Sequence, residues 1–391
     1  MKVSEKRKLK KIAIMETALE VWARDNFHNT SLSSLETPLG MTKQALYRYF
    51  SGKEDLLDSI QDYISSINAE MNRELIEKLE ILPREKRIRY YLEHHSRFFR
   101  THPYYIRFDS YTIMKTGEFN PRFEPGQMAN LETLLGLSGK ELHLLLLYAN
   151  FMWGWHETDH LRIKRTEKQK TDLIIELLEN GLGTDSFHPP EVGIHLQNDP
   201  EYQEYRKSVE CDNLFQSVSG AIQEQGFDGV TLENIAEKAG ISKSTLYNYF
   251  RNKDEMLTKT INLLVREYMT FHTRLLNRYG TFEEKLLAHL ELQCATFPDK
   301  PQSFIIMKQF MGRNVLDKID KPVDDPDFLH FLEEGLKENK LKNLLSPLEY
   351  QMIFSFFIFI EKVIYRLESS EDFTPQMIQW LRLLARGIQR T

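Results

Sequence analysis

The segment KQALYRYFSGKEDLL at residues 43–57 returns as KSTLYNYFRNKDEML at residues 243–257, 200 positions further along the same chain. At that offset Phe27 aligns with Phe227, Leu32 with Leu232, Gly40 with Gly240, Lys43 with Lys243 and Leu46 with Leu246. Tyr47, Tyr49, Phe50, Lys53 and Leu57 likewise meet Tyr247, Tyr249, Phe250, Lys253 and Leu257. Turn, core and basic positions match together, so one local fold is written twice. A chain of 391 residues exceeds one ordinary core, and the repeat divides it into two halves.

The second copy is the easier to read. NLFQSVSGAIQEQGF places Leu214, Phe215, Val218, Ala221 and Ile222 on one helical face, and Gly226 ends that helix. Thr231 stands at an N-cap, a short second helix follows, and Gly240 closes it in a position that tolerates positive φ. Ser242 caps a third helix, Lys243 to Phe250, with Leu246, Tyr249 and Phe250 available for the core; Asp254 and Glu255 favour the start of a long fourth helix. Two short helices across a glycine turn form a helix-turn-helix, whose second helix can enter a DNA major groove.

The outward residues are Ser242, Lys243, Ser244, Thr245, Tyr247 and Asn248 in copy two, and Thr42, Lys43, Gln44, Ala45, Tyr47 and Arg48 in copy one. Hydroxyls, ammonium groups and a phenol suit phosphate oxygens, Gln44 has the groups to read adenine, and Thr245 can meet a thymine methyl. The competing reading is plain helix packing, with Tyr47 and Tyr247 as half-buried aromatics.

Segments 9–57 and 209–257 resemble the DNA-binding domain of the tetracycline-repressor (TetR) family, through ALYRYF and TLYNYF followed by Lys53 or Lys253. The resemblance implies an all-α protein of two TetR-like halves. Each would be a three-helix reading head whose fourth helix leads into a helical ligand-binding and dimerising domain. It also implies DNA contacts from 42–48 and 242–248, with Lys53 and Lys253 approaching the phosphate backbone; Thr231 joins that set. Copy one departs from the pattern at Pro38, where copy two has Lys238. An interior proline loses a helical hydrogen bond, so the second helix of copy one is expected to begin late, near Ser34.

Both halves finish alike: Leu-Ser, a very apolar helix, a turn, and an amphipathic helix ending at Gly181 or Gly387. The family's last two helices form a four-helix bundle between subunits, so 139–182 against 347–389 is expected to make that bundle within one chain, an intrachain pseudo-dimer. The expected domains are a first head at 1–57, a first regulatory domain at 58–182, a Gly- and Pro-rich linker at 183–205, a second head at 206–257 and a second regulatory domain at 258–391. The stretches MKTGEFNPRFEPGQMANL and NVLDKIDKPVDDPDF read as interhelical loops. An effector pocket is implied by the resemblance, with His94, Phe98, Tyr105, Phe108, Trp153, Phe304, Met307 and Phe310 as candidates to line it; most aromatic residues at helical spacing are ordinary core.

Residues 1–57 carry ten Lys/Arg against seven Asp/Glu, a net of +3, while 206–257 carry six against eight, a net of −2. If both heads touch DNA, the first supplies more of the phosphate attraction, although the whole chain is at −6. The apolar runs from Leu142 and Met352 fall short of the roughly 18–20 residues a membrane span needs, and the basic N-terminus has no apolar signal region after it. Two cysteines, Cys211 and Cys294, suit a reducing compartment. A cytoplasmic protein is therefore expected, and the resemblance implies a bacterial one.

His156-Glu-Thr-Asp-His160 matches the H-E-x-x-H pattern that sets two imidazoles on one helical face for zinc, with Glu157 as a general base. That helix is already assigned to the bundle, and a polar end to a buried helix is the simpler reading. His94 and His95 point about 100° apart on a helix and do not share a metal easily. With no phosphate-binding glycine loop, nucleophile elbow or paired-cysteine motif, no cofactor and no enzymatic role are expected. The reading is a ligand-responsive repressor that binds a double-stranded operator with unequal half-sites and responds to an unidentified small-molecule effector, with further pairing of two chains left open. The alternatives are a sensor or interaction protein with degenerate heads, suggested by Pro38 and the acidic second head, and a zinc hydrolase.

Overall fold

The computed structural model describes residues 3–25, 27, 30–105, 108, 112, 125–157, 165–210, 214, 216–218, 220–221, 230–299, 326–359 and 374–388. Among the described residues regular structure is helical, apart from short 3-10 turns and one isolated antiparallel bridge, Gly183 to Leu341. No described helix is long and apolar enough to cross a membrane. The chain divides into two compact units, Met1–Leu137 and Ser138–Thr391. The sequence halves and the compact units therefore part at different places: the last two helices of the first half belong to the second unit.

The first unit contains α1 (Val3–Asp25), a 3-10 turn at Leu32–Leu35 running into α2 (Glu36–Leu39), α3 (Lys43–Tyr47), α4 (Lys53–Ile81), α5 (Arg84–Thr101) and α6 (Pro125–Leu135). Ile14, Ala18, Leu19 and Trp22 of α1 are buried with Leu35, Leu46, Phe50, Leu56, Leu57 and Ile60, giving the head its own core. Each fully buried aliphatic or aromatic side chain contributes about 1.5–3 kcal/mol. The start of α6 at Pro125 corrects the expected loop, which ran on to Leu131. Proline fits the first helical position because its missing N–H would have no partner there.

The second unit contains α7 (Gly139–Glu157), α8 (Glu167–Asn180), α9 (Pro200–Glu210), α10 (Leu232–Ala239), α11 (Lys243–Tyr249), α12 (Lys253–Leu276), α13 (Phe282–Asp299), α14 (Pro326–Lys337), α15 (Pro347–Phe359) and α16 (Thr374–Arg386). Pro326 opens α14 as Pro125 opens α6, and the loop expected through Phe328 is shortened in the same way. The backbone N–H groups of Ser138 and Ser346, each preceding an apolar helix, donate to Glu141 (2.6 Å) and Glu349 (2.8 Å), so α7 and α15 begin with the same capping pattern.

α7 packs against α15, and α8 against α16. Leu144 to Ala149 are buried in unbroken succession, which explains a helix apolar on every side: it has protein all round it. The ends of α8 and α16 clasp each other through the backbone. Leu182 N–H donates to Leu384 O at 2.8 Å, and Ile388 N–H donates to Leu178 O at 2.7 Å. One offset, 206 residues, carries Leu178 to Leu384 and Leu182 to Ile388, so the two bonds are reciprocal, as contacts across a twofold axis are. Gly181 (φ 68°) and Gly387 (φ 69°) sit at the crossing, where a Cβ on Gly181 would lie 2.2 Å from Ala385 O.

The expected linker is tied down along much of its length. Thr184 N–H donates to Lys340 O (3.0 Å) and His188 N–H to the buried Glu283 (2.9 Å), while Ile194 and Leu196 N–H both donate to the buried Glu291 at 3.1 Å. Two carboxylates of α13 thus replace the secondary-structure partners that an irregular segment lacks. Its last residues are helical: Asp199 caps α9, and Tyr202 and Tyr205 are buried against Phe271 of α12, the Tyr205 and Phe271 rings lying 4.6 Å apart at 10°.

Candidate nucleic-acid interface

Both reading helices are set by the same local devices. Gly40 (φ 58°) and Gly240 (φ 68°) end the preceding helices in the left-handed region. Met41 N–H then donates to Glu36 O, and Ile241 N–H to Ala236 O, each at 3.0 Å. Thr42 Oγ1 accepts from Ala45 N–H at 3.3 Å, and Ser242 Oγ accepts from Thr245 N–H at 3.0 Å, capping α3 and α11. Ser51 N–H donates to Asp55, and Arg251 N–H to Glu255, both at 2.6 Å, which fixes the start of α4 and α12.

Pro38 is accommodated by these devices. The first copy makes a 3-10 turn where the second has a helix, and α2 begins only at Glu36, so Pro38 lies exposed in its first turn, where an N–H is not needed. The exit into the reading helix is the same as in copy two. Of the second head's expected first helix, Leu214, Gln216 to Val218, Gly220 and Ala221 are described; all are helical, with Val218 and Ala221 buried. Phe215, Ile222 and Gly226 lie outside the described residues.

The side chains sort as an interface requires. Leu46 and Leu246 are fully buried, while Thr42, Lys43, Gln44, Arg48, Ser242, Lys243, Ser244 and Asn248 are exposed, with Ala45 and Thr245 intermediate. Tyr47 and Tyr247 are 47% and 43% exposed, so neither is core. Lys43 Nζ sits 6.0 Å over the Tyr47 ring and Lys243 Nζ 5.7 Å over that of Tyr247. Tyr249 departs from expectation: it is 55% exposed rather than core, because α11 ends there and Leu246 and Phe250 take the inward positions. Lys53 reaches over the Trp22 ring at 5.9 Å, whereas Lys253 donates to Val230 O at 2.9 Å. Thr231 caps α10 through Asn234 N–H.

Three further groups shape this surface. Arg7 donates to Arg48 O at 3.1 Å and Lys11 lies 5.0 Å over Phe50, joining the basic N-terminal turns of α1 to the end of the first reading helix. The basic run was visible in the sequence; its seat beside α3 was not. In the second head Lys243 makes an ion pair with Glu233 of α10, which raises the lysine pKa and lowers that of the carboxyl. Glu233 carries no sequence signal of its own.

Among the effector candidates, Phe98 and Tyr105 come together, ring centroids 6.0 Å apart, with His102 between α5 and the turn that follows it. The Tyr105 hydroxyl donates to Glu16 of α1 (3.0 Å), as does Tyr63 of α4 (2.7 Å). Burial first, then the bond to Glu16, pushes the Tyr63 phenol up to about 12. Phe108 packs edge-on against Phe27 of the first head, centroids 5.4 Å apart. His94 lies half-buried beside Tyr90, its pKa lowered by desolvation. The Trp153 side chain, Phe304, Met307 and Phe310 lie outside the described residues, as do the side chains of His156 and Glu157 and the remainder of the HETDH segment. Among the described residues no group of three or more His, Cys, Asp or Glu is placed to hold a metal.

The sequence profile of "Bacterial regulatory proteins, tetR family" matches residues 14–60 and again 220–259, the two heads described above. Both heads match the TetR family of bacterial regulatory proteins. Its two heads are those of a DNA-binding transcriptional regulator of that kind. The chain is 24% identical over 189 residues to the TetC protein of transposon Tn10 from Escherichia coli, a match spanning 47% of the chain and 93% of TetC. It is 29% identical over 63 residues to the IcaR negative regulator of the icaADBC biofilm operon of Staphylococcus epidermidis, spanning 16% of the chain and 34% of IcaR. Similar solved structures include the regulator FadR from Bacillus subtilis in complex with stearoyl-CoA (19% identity, TM-score 0.35, 45% of this chain and 98% of that one). A TetR-family regulator from Haemophilus influenzae is similar at 17% identity and TM-score 0.35, over 45% and 98%.

Proposed function

We propose that this chain is a ligand-responsive cytoplasmic repressor of the TetR family that carries both subunits of a regulator dimer in one polypeptide and binds an imperfectly palindromic operator. The observation that carries the reading is the pair of reading helices, α3 and α11, held by matching caps and exposing matching lysines and tyrosines. Support for the pseudo-dimer comes from the reciprocal clasp of α8 and α16 and from the packing of α7 on α15. TetC's match to 47% of the chain agrees with two regulators' worth of sequence.

A dimeric helix-turn-helix protein reads half-sites about 34–36 Å apart, one turn of DNA. The outward residues Lys43-Gln44-Ala45-Tyr47-Arg48 and Lys243-Ser244-Thr245-Tyr247-Asn248 differ, so the half-sites should be unequal. Gln44 pairs well with adenine, whereas Ser244 and Thr245 offer hydroxyls and a methyl. Release by an effector would work through the first regulatory domain, where Tyr63 and Tyr105 share Glu16 of α1 and Phe108 meets Phe27, so that a rearrangement around α5 is felt by the head. Footprinting on DNA flanking its own gene tests the proposal. Two protected half-sites of different sequence are expected; a perfect palindrome, or no protection, overturns it.

A further inference from the structure

The two heads differ in one electrostatic respect that their shared fold does not require. Lys243, the first residue of α11, is ion-paired to Glu233 in the first turn of α10, and both side chains remain about half exposed. At the 200-residue offset Glu233 corresponds to Ser33. Among the described residues Lys43 has no carboxylate in ion-pair range; its recorded neighbour is the Tyr47 ring. Exposed pairs of this kind are screened by solvent and add little to stability, so the pair does little for the fold. On a polyanion the same pair matters far more, because each lysine that neutralises a phosphate releases condensed counterions, and a carboxylate at that spot both cancels the lysine and repels the backbone.

We propose that Glu233 is an electrostatic counterweight that withholds Lys243 from phosphate and makes the second head the weaker reader. The first head, with Lys43 uncancelled and the basic turns of α1 fastened beside its reading helix through Arg7 and Lys11, engages DNA first. The second head adds discrimination through its own base contacts with little non-specific grip. This rests on the DNA-binding reading above and concerns how the binding is shared between heads.

The test uses the full-length protein and a mixed-sequence duplex, with affinity measured across a salt series and folding of each variant checked by thermal melting. Glu233→Ser, which installs the first head's residue, should raise affinity on the order of threefold to tenfold and steepen the log K against log salt slope by about one. Lys243→Ala should hardly change that slope in the parent chain, yet lower it by about one in the Glu233→Ser background. Lys43→Ala should lower it by about one from the start. If Lys43→Ala weakens binding while Glu233→Ser leaves it unchanged or weaker, the counterweight is overturned and the DNA-binding reading stands. If the parent chain shows no salt-dependent binding and Lys43→Ala changes nothing, the DNA-binding reading falls, and the counterweight with it.

Discussion

Three glycines of positive φ carry different burdens, and substitution should separate them. Gly40 and Gly240 have positive φ but nothing within 4 Å of where a Cβ would stand. Alanine there incurs only the left-handed penalty of about 1–2 kcal/mol. Gly181 has the same φ, yet its Cβ would meet Ala385 O at 2.2 Å and Arg386 N at 2.6 Å, backbone atoms that cannot swing aside. Gly181→Ala should therefore cost on the order of 3 kcal/mol or more and open the clasp between α8 and α16. Thermal melts of Gly40→Ala, Gly240→Ala and Gly181→Ala would rank them; equal losses at all three would contradict the close crossing. All three stood out in the sequence as helix ends, but what separates Gly181 is its extended ψ of −179°, against 36° and 26° at Gly40 and Gly240, and the backbone that lies opposite.

At the scale of elements, two desolvated histidines, one half-buried and one buried, make the second unit sensitive to acid. His143 of α7 stacks near Trp380 of α16, and burial pushes its pKa down to about 4. His289 of α13 is bonded to His272 of α12 at 2.9 Å and stacked 3.8 Å from Phe328 of α14; burial, then the neighbouring His272, holds it well below the ordinary value. An unfolded histidine titrates near 6.5. Between that value and the lower folded ones the unfolded chain binds more protons, so stability falls as pH drops below about 6.5 and is level above about 7. Melting temperature should decline from about pH 7 to 5; a flat profile would mean that these rings are hydrated. The lowered carboxyls Asp55, Glu255 and Glu284 act in a separate window, losing their contribution only as pH falls below the usual carboxylate range.

For the whole molecule the prediction is stoichiometric. α7 and α8 face α15 and α16 inside one chain, and on the reading proposed above this packing takes the place of a dimer interface. Native mass spectrometry or sedimentation of the DNA complex should therefore find one chain per operator; two chains bridging one site would contradict the intrachain dimer. The sequence by itself determined the repeat, the helix-turn-helix with its caps, and the outward row from Thr42 to Arg48 and from Ser242 to Asn248. Those depend on local turn chemistry and helical period, which neighbouring residues dictate. Only the tertiary structure decided that Pro38 is absorbed by a 3-10 turn, that Tyr249 faces out, and that 184–196 is pinned to Glu283 and Glu291. It also decided that Glu233 stands beside Lys243. Each of these turns on a partner brought close by packing, and the identity of a residue does not encode which distant group will stand beside it.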